Sequence, residues 1–170
     1  MRPHRGGDRP VVIGLGNPER GDDGLGPVVV GLLEGPLGGF VELLASVSDP
    51  MSILDLWEEA PVAILVDAVR SGGVPGVVYR WEVTPGDLPM ARAWSSTHSL
   101  GLRELVELSW ALGRSPRRLV LYGAEAGEDR WGQGLSEPVS AAAFTIARRL
   151  HQELEQDGWL VARREEELHA

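Results

Sequence analysis

Apolar and polar positions follow two different periods along the chain, and together they predict a layered α/β protein. A continuous aliphatic run such as residues 62–66 is typical of a strand buried on both faces of a parallel sheet. Apolar residues spaced three and four apart, as in residues 102–112, are typical of a helix that buries one face. The predicted order is strand 10–15, helix 23–34, strand 40–45, helix 50–58, strand 61–67, strand 77–83, helix 98–112, strand 118–123 and helix 137–156.

This alternation of strands and helices predicts a three-layer α/β/α sandwich around a mostly parallel five-stranded sheet. The connection 68–76 is too short for a crossover helix, so strand 77–83 is expected to run antiparallel to its predecessor and to lie at an edge of the sheet. Ser136, followed by Glu137 and Pro138, predicts a helix start that the serine side chain caps.

Four polar residues adjoin these elements at places where ligands usually bind. Asp22 and Asp23 lie in the loop after the first strand, Asp67 ends the third strand, and His98 opens a helix. Because the carboxyl ends of strands meet at one edge of an open α/β sheet, we expect these side chains to share a site. Two carboxylates and an imidazole suit Zn, Ni or Fe(II) better than Mg or Ca. A purely structural role is the alternative, since Asp22 is also a favourable helix cap.

Five short motifs carry a resemblance to a known protein family. They are Gly14-Leu15-Gly16-Asn17 with Asp22-Asp23-Gly24-Leu25-Gly26, then Leu65-Val66-Asp67-Ala68-Val69, Pro75-Gly76 before a strand, Ser96-Thr97-His98-Ser99-Leu100-Gly101-Leu102, and Gly134-Leu135-Ser136-Glu137-Pro138-Val139. Over roughly residues 10–150, and in this order, the chain resembles the [NiFe]-hydrogenase maturation endopeptidases. The resemblance implies a peptidase that trims a C-terminal extension from a hydrogenase large-subunit precursor once nickel is in place.

The resemblance also implies how the substrate is bound. The nickel belongs to the precursor and is not permanently held by the peptidase. The positions that match the family's nickel contacts are Asp23, Asp67 and His98. We predict contacts with the peptide substrate at three further positions, Asn17, Thr97 and Trp94.

The turn after the second strand departs from the family pattern. Relatives usually carry an Asp-Gly-Gly-type turn there, whereas this chain continues Ala45-Ser46-Val47-Ser48, and Asp49 is the nearest substitute. Because that acid is missing, a non-catalytic nickel-binding or docking maturation factor for the same precursor remains an alternative.

The residue types that the chain lacks narrow its chemistry. It has no Cys, no Gly-x-Ser-x-Gly segment and no His-Glu-x-x-His segment, so a thiol, a serine elbow and a zincin helix are all excluded. What remains is attack by water on the scissile carbonyl, assisted by a carboxylate base and by a metal. Asp22 and Asp67 are the candidate catalytic bases.

Two loops are expected near the same edge of the sheet. Residues 71–73 are rich in glycine and form either a simple turn or a flap over the substrate tail. The segment 123–134 is long enough to line the edge and to bind the tail of the precursor. Trp131, within that segment, is expected to be explained by packing against the core or an edge.

Charge limits the possible partners. The net charge is −9, from 25 acidic and 16 basic residues, which argues against nucleic-acid binding. Peptidyl-tRNA hydrolases share the opening Gly-x-Gly-Asn-Pro, but they carry a His soon afterwards, and this chain has none between His4 and His98. A dinucleotide site is disfavoured because Gly14-x-Gly16 lacks the third glycine and because Asp22 and Asp23 would repel a pyrophosphate.

The ends of the chain are interpreted separately from its centre. Residues 1–9 are predicted to be a flexible leader, 10–157 a single domain, and 158–170 a solvated tail. The sequence contains no run of about 18 apolar residues, so it predicts no membrane span. Residues 1–10 also lack an apolar stretch of signal-peptide length, so we expect a cytoplasmic protein, with a monomer as the default oligomeric state.

Overall fold

A computed structural model describes residues 8–45, 50–87, 102–127 and 130–160. Its elements in chain order are β1 (Val11–Gly14), a 3-10 helix (Gly21–Gly24), α1 (Leu25–Leu37), β2 (Glu42–Ala45), α2 (Pro50–Trp57), β3 (Ala63–Val69), β4 (Val78–Val83), α3 (Leu102–Ala111), β5 (Leu119–Glu125) and α4 (Glu137–Gln156). None of the described helices is long and apolar enough to cross a membrane.

The described strands form one mixed sheet in the order β2-β1-β3-β5-β4. Strands β1, β2, β3 and β5 run parallel, and β4 runs antiparallel to β5 at the edge. The predicted antiparallel edge strand is therefore confirmed. The strand that β4 pairs with is β5, which lies between β3 and β4 in the sheet. The short connection from β3 to β4 therefore passes over the end of one strand.

Alternate residues of the central strands pack on opposite faces of the sheet, as the period of a strand requires. Val12, Ile64 and Val120 belong to one core layer with the apolar faces of α1 and α4. Ile13 and Leu65 belong to a second layer with α2 and α3. These two cores confirm the predicted three-layer α/β/α sandwich.

Several element boundaries differ from the predicted ones in ways that matter for the site. Helix 23–34 is in fact a 3-10 turn followed by α1, and α1 continues past Pro36 because Leu37 is fully buried. Strand β3 continues to Val69, so Asp67 lies two residues before its end and not at its end. Strand β5 extends to Glu125, and β3 and β5 remain paired as far as these last residues.

The start of α1 lies unusually close to the sheet. A Cβ added to Gly26 would lie 2.3 Å from the carbonyl oxygen of Leu15 and 2.6 Å from that of Val66. Only glycine allows this approach, because real Cβ atoms essentially never come so near to another heavy atom. The approach holds the preceding 3-10 turn, with its two aspartates, against the ends of β1 and β3.

Candidate active site

The candidate site lies between β1 and β3, at the point in the sheet where the strand order reverses. From β1 the chain passes through α1 to β2 on one side, and it returns through α2 to β3 on the other side. Helices α1 and α2 pack on opposite faces of the sheet. Ligands of open α/β sheets bind at such a switch point. Asp22 and Asp23 follow β1, and Asp67 lies in β3.

The loop after β1 holds Asp23 with its side chain almost buried. Gly16 has a φ of 102°, and a Cβ added to it would lie 1.9 Å from the backbone oxygen of Asp23. The Asn17 backbone N–H donates to Asp23 Oδ2 at 2.8 Å. Asn17 Oδ1 accepts a hydrogen bond from the Glu19 N–H at 2.9 Å. Asn17 therefore shapes the loop that carries Asp23, and its contact with substrate remains a prediction.

Asp67 is a buried carboxyl group beside this loop. Val66 pairs with Gly14, the last residue of β1, so Asp67 lies one residue beyond the end of its neighbouring strand. Its side chain is 3% exposed, and Oδ1 accepts a hydrogen bond from the Ala68 N–H at 2.8 Å. The pKa of Asp67 is raised to about 7, chiefly by burial and also by the charge of Asp23, against the opposing effects of the Ala68 hydrogen bond and the charge of Arg70. The two carboxyl groups are therefore close enough to repel each other.

The side chain of Asp22 binds the segment that leads into α4. Its Oδ2 accepts hydrogen bonds from the Gly127 N–H at 2.8 Å and from Ser136 Oγ at 3.0 Å. Its Oδ1 accepts one from the Ser136 N–H at 2.7 Å. Asp22 is fully buried. These donors make Asp22 an anchor between two loops that lie more than 100 residues apart in the chain.

The prediction that Ser136 caps α4 is right in position and wrong in mechanism. Ser136 occupies the N-cap position, but its side chain makes no capping hydrogen bond. Its hydroxyl donates to Asp22 instead. The sequence could not indicate this partner, because Asp22 is brought to α4 only by the fold.

Glu125 is a structural residue of the same edge that the sequence analysis did not single out. Its Oε1 accepts the N–H groups of Ser71, Gly72 and Gly73 at 2.8, 3.0 and 3.2 Å, and its Oε2 accepts the Ser71 hydroxyl at 2.6 Å. Burial would raise the pKa of Glu125, but these hydrogen bonds outweigh it and lower the pKa below its ordinary value. The glycine-rich segment is thus a turn fixed around a carboxylate. The sequence did contain a signal for this role, because Glu125 is an acidic residue at the end of an apolar strand.

The expectation that Trp131 packs against the core or an edge of the sheet is wrong, because 70% of the residue is exposed. It forms an isolated antiparallel bridge with Arg20, and the Gly132 N–H donates to the Glu19 carbonyl oxygen at 2.9 Å. The Arg20 guanidinium carbon lies 5.6 Å from the centre of the indole ring. The segment 123–134 therefore does line the loop that carries the aspartates, as its length suggested.

The remaining predicted site residues lie outside the described part of the chain. They are His98, Thr97, Trp94 and Asp49. Among the residues that the structure describes, no group of three or more His, Asp or Glu side chains could hold a metal ion. The described part of the predicted nickel contacts is thus the pair Asp23 and Asp67.

The fold and this site define an α/β domain with paired acidic groups at the switch point of its sheet. Residues 39–153 match the sequence model of the family described as hydrogenase maturation protease. The hydrogenase expression/formation protein HupD of Thiocapsa roseopersicina is 29% identical over 159 residues, which are 92% of this chain and 72% of that protein. HupM of Azotobacter chroococcum is 30% identical over 77% of this chain and 64% of that protein.

Solved structures agree with the sequence relatives. The hydrogenase maturating endopeptidase HybD from E. coli superposes with a TM-score of 0.76 and 25% identity, covering 88% of this chain and 94% of that one. The [NiFe] hydrogenase maturation protease HycI from Thermococcus kodakarensis gives a TM-score of 0.65 and 26% identity, covering 86% and 92%. The chain belongs to the hydrogenase maturation protease family. It is a peptide-bond hydrolase, so the tRNA-hydrolase and dinucleotide-binding alternatives are rejected.

Proposed function

We propose that this protein removes the C-terminal extension of a [NiFe]-hydrogenase large-subunit precursor after nickel has been inserted, acting in the cytoplasm as a monomer. Family membership supports an endopeptidase of hydrogenase maturation. The observation that carries the finer proposal is the pair of buried acids, Asp23 and Asp67, at the switch point of the sheet. Two adjacent acids repel each other when both are ionised, and a cation delivered by the substrate offsets that repulsion.

Nickel recognition in this proposal depends on three side chains. Asp23 and Asp67 supply carboxylate oxygens, and His98 supplies an imidazole nitrogen in the position that the family resemblance indicates. Carboxylates with imidazole form an appropriate donor set for a borderline divalent metal. A precursor that lacks nickel leaves the two acids without a counter-charge, so it is bound more weakly. The metal thus distinguishes the finished substrate from the unfinished one.

Cleavage uses water and a carboxylate base. The oxygen of water bonds to the scissile carbonyl carbon while one of its protons passes to the base. The C–N bond then breaks, and the proton passes from the base to the leaving amine. The atoms balance without any further reactant, because water supplies OH to the new carboxyl end and H to the released peptide.

Of the two candidate bases, the geometry favours Asp67. Both oxygens of Asp22 already accept hydrogen bonds from Gly127 and Ser136. Taking a proton there would break contacts that hold two loops together. Asp67 has one described hydrogen bond, from Ala68, so it can exchange a proton with less rearrangement.

A cleavage assay tests the proposal directly. The purified protein is mixed with nickel-loaded and nickel-free large-subunit precursor, and the products are analysed by mass spectrometry. Loss of a C-terminal peptide from the loaded precursor alone is the expected result. Binding without cleavage would support the docking factor instead, and equal cleavage of both precursors would contradict nickel recognition.

A His98 variant separates a role in recognition from a role in folding. His98→Ala should reduce cleavage of the loaded precursor by at least a hundredfold while leaving the urea unfolding midpoint unchanged. His151→Ala, on α4, is the matched control and should cleave normally. Loss of folding together with activity in His98→Ala would argue against a ligand role.

A further inference from the structure

Trp131 is a large apolar side chain that the fold leaves in water at the edge of the candidate site. It is 70% exposed, whereas Trp57 is fully buried in the core. The guanidinium of Arg20 lies over the indole ring, 5.6 Å from its centre. Since most of the residue is still exposed, this contact leaves indole surface open to a partner. Tryptophan and arginine are both enriched among the residues that contribute most to binding energy at protein interfaces.

The segment that carries Trp131, residues 130–136, is fastened on both sides. Before it, the Gly127 N–H donates to Asp22 at 2.8 Å, and at its end the Ser136 N–H and hydroxyl donate to the same carboxylate. Between these points, the Gly132 N–H donates to the Glu19 carbonyl oxygen at 2.9 Å. A surface that is ordered before binding loses less conformational entropy when its partner arrives.

The position of Trp131 connects it to the chemistry. Its bridge partner Arg20 comes two residues before Asp22 and three before Asp23 in the same loop. Trp131 therefore lies beside the loop that carries Asp22 and Asp23.

We propose that Trp131, supported by Arg20, is a substrate-recognition residue that binds an extended segment of the precursor next to the scissile bond. The segment places an apolar or aromatic side chain on the exposed indole surface. This inference rests on the proposed function, because it takes the precursor as the partner.

Steady-state kinetics with nickel-loaded precursor test this assignment. Trp131→Ala should raise KM by about tenfold and leave kcat within about twofold, because the contact is made equally in the bound substrate and in the transition state. Trp131→Phe keeps an aromatic ring and should recover most of the lost affinity. Phe144→Ala removes another exposed aromatic residue, from α4, and is the matched control with unchanged KM.

Each outcome decides the assignment. An unchanged KM in Trp131→Ala, an equal rise in Phe144→Ala, or a fall in kcat alone would overturn it. Urea unfolding midpoints of all the variants show whether Trp131→Ala is folded, and Trp131→Phe provides the test if it is not. A wild-type protein that cleaves no precursor refutes the proposed function itself, and that result is distinct from cleavage that ignores Trp131.

Discussion

Replacing Asp67 with asparagine should make the protein more stable and inactive at the same time. The carboxyl group is 3% exposed, and burial raises its pKa to about 7. Ionising it in the folded protein is therefore unfavourable. Asparagine has nearly the same shape, stays neutral at every pH, and keeps an oxygen that accepts the Ala68 N–H. The substitution removes the cost of ionisation together with the predicted base.

The size of the effect follows from the pKa. Each pKa unit corresponds to about 1.4 kcal/mol, so the rise from 3.8 to about 7 corresponds to about 4 kcal/mol. Because the folded pKa is raised, the stabilising contribution of the protonated group is complete below the unfolded pKa and is lost as the pH rises through about 7. The free energy of unfolding of Asp67→Asn should therefore exceed that of the wild type by about 4 kcal/mol at pH 8 and by about 2 kcal/mol at pH 5.

Urea unfolding of both proteins at pH 5 and pH 8 measures this difference. Asp87→Asn, which removes the same charge from an exposed position, shows what the loss of one negative charge does by itself. Cleavage of the nickel-loaded precursor by Asp67→Asn should fall by about a hundredfold or more. A variant less stable than the wild type at pH 8, or a difference that does not change with pH, would refute the argument from burial.

Two further predictions concern the contacts that shape the site. Ser136→Ala removes the hydroxyl that donates to Asp22 and should lower the free energy of unfolding by about 1.5 kcal/mol, measured in urea, whereas Ser140→Ala, one turn along α4, should be nearly neutral. An effect of equal size in both serine variants would argue against the anchor. Gly26→Ala places a Cβ 2.3 Å from the Leu15 carbonyl oxygen and should lower the melting temperature by about 5 °C or more. Gly31→Ala, in the same helix with no atom within 4 Å of the added Cβ, should raise it slightly, and similar shifts in the two glycine variants would contradict the close approach.

Local patterns in the sequence were sufficient for most of the fold. An aliphatic run of strand length predicts a buried strand, since burying both faces is the only way to remove such a run from water. The short connection before β4 predicts an antiparallel edge strand by chain length alone, and the structure has one. The observed ends of two elements differ from the predicted ones. Helix α1 continues past Pro36 because the next residue is buried, and β5 continues to Glu125 because its pairing continues.

Less of the candidate site than of the fold was predictable from the sequence. Short motifs with glycines and acids indicated that Asp23 and Asp67 lie at one edge of the sheet, because the carboxyl ends of parallel strands meet there. The partners of Asp22 and Glu125 were not predictable in this way. Asp22 binds residues more than 100 positions away, and Glu125 binds a turn more than 50 positions away.

By itself, then, the sequence determined which residues form strands and helices and which acids reach the edge of the sheet, since these depend on the period and spacing of nearby residues. Only the tertiary structure decided what each acid does there. Asp67 is left buried beside Asp23 with a raised pKa, while the oxygens of Asp22 are taken up by backbone groups from another loop. The physical reason is that solvation and hydrogen-bond donors, which set the behaviour of a carboxylate, come from segments far apart in the chain.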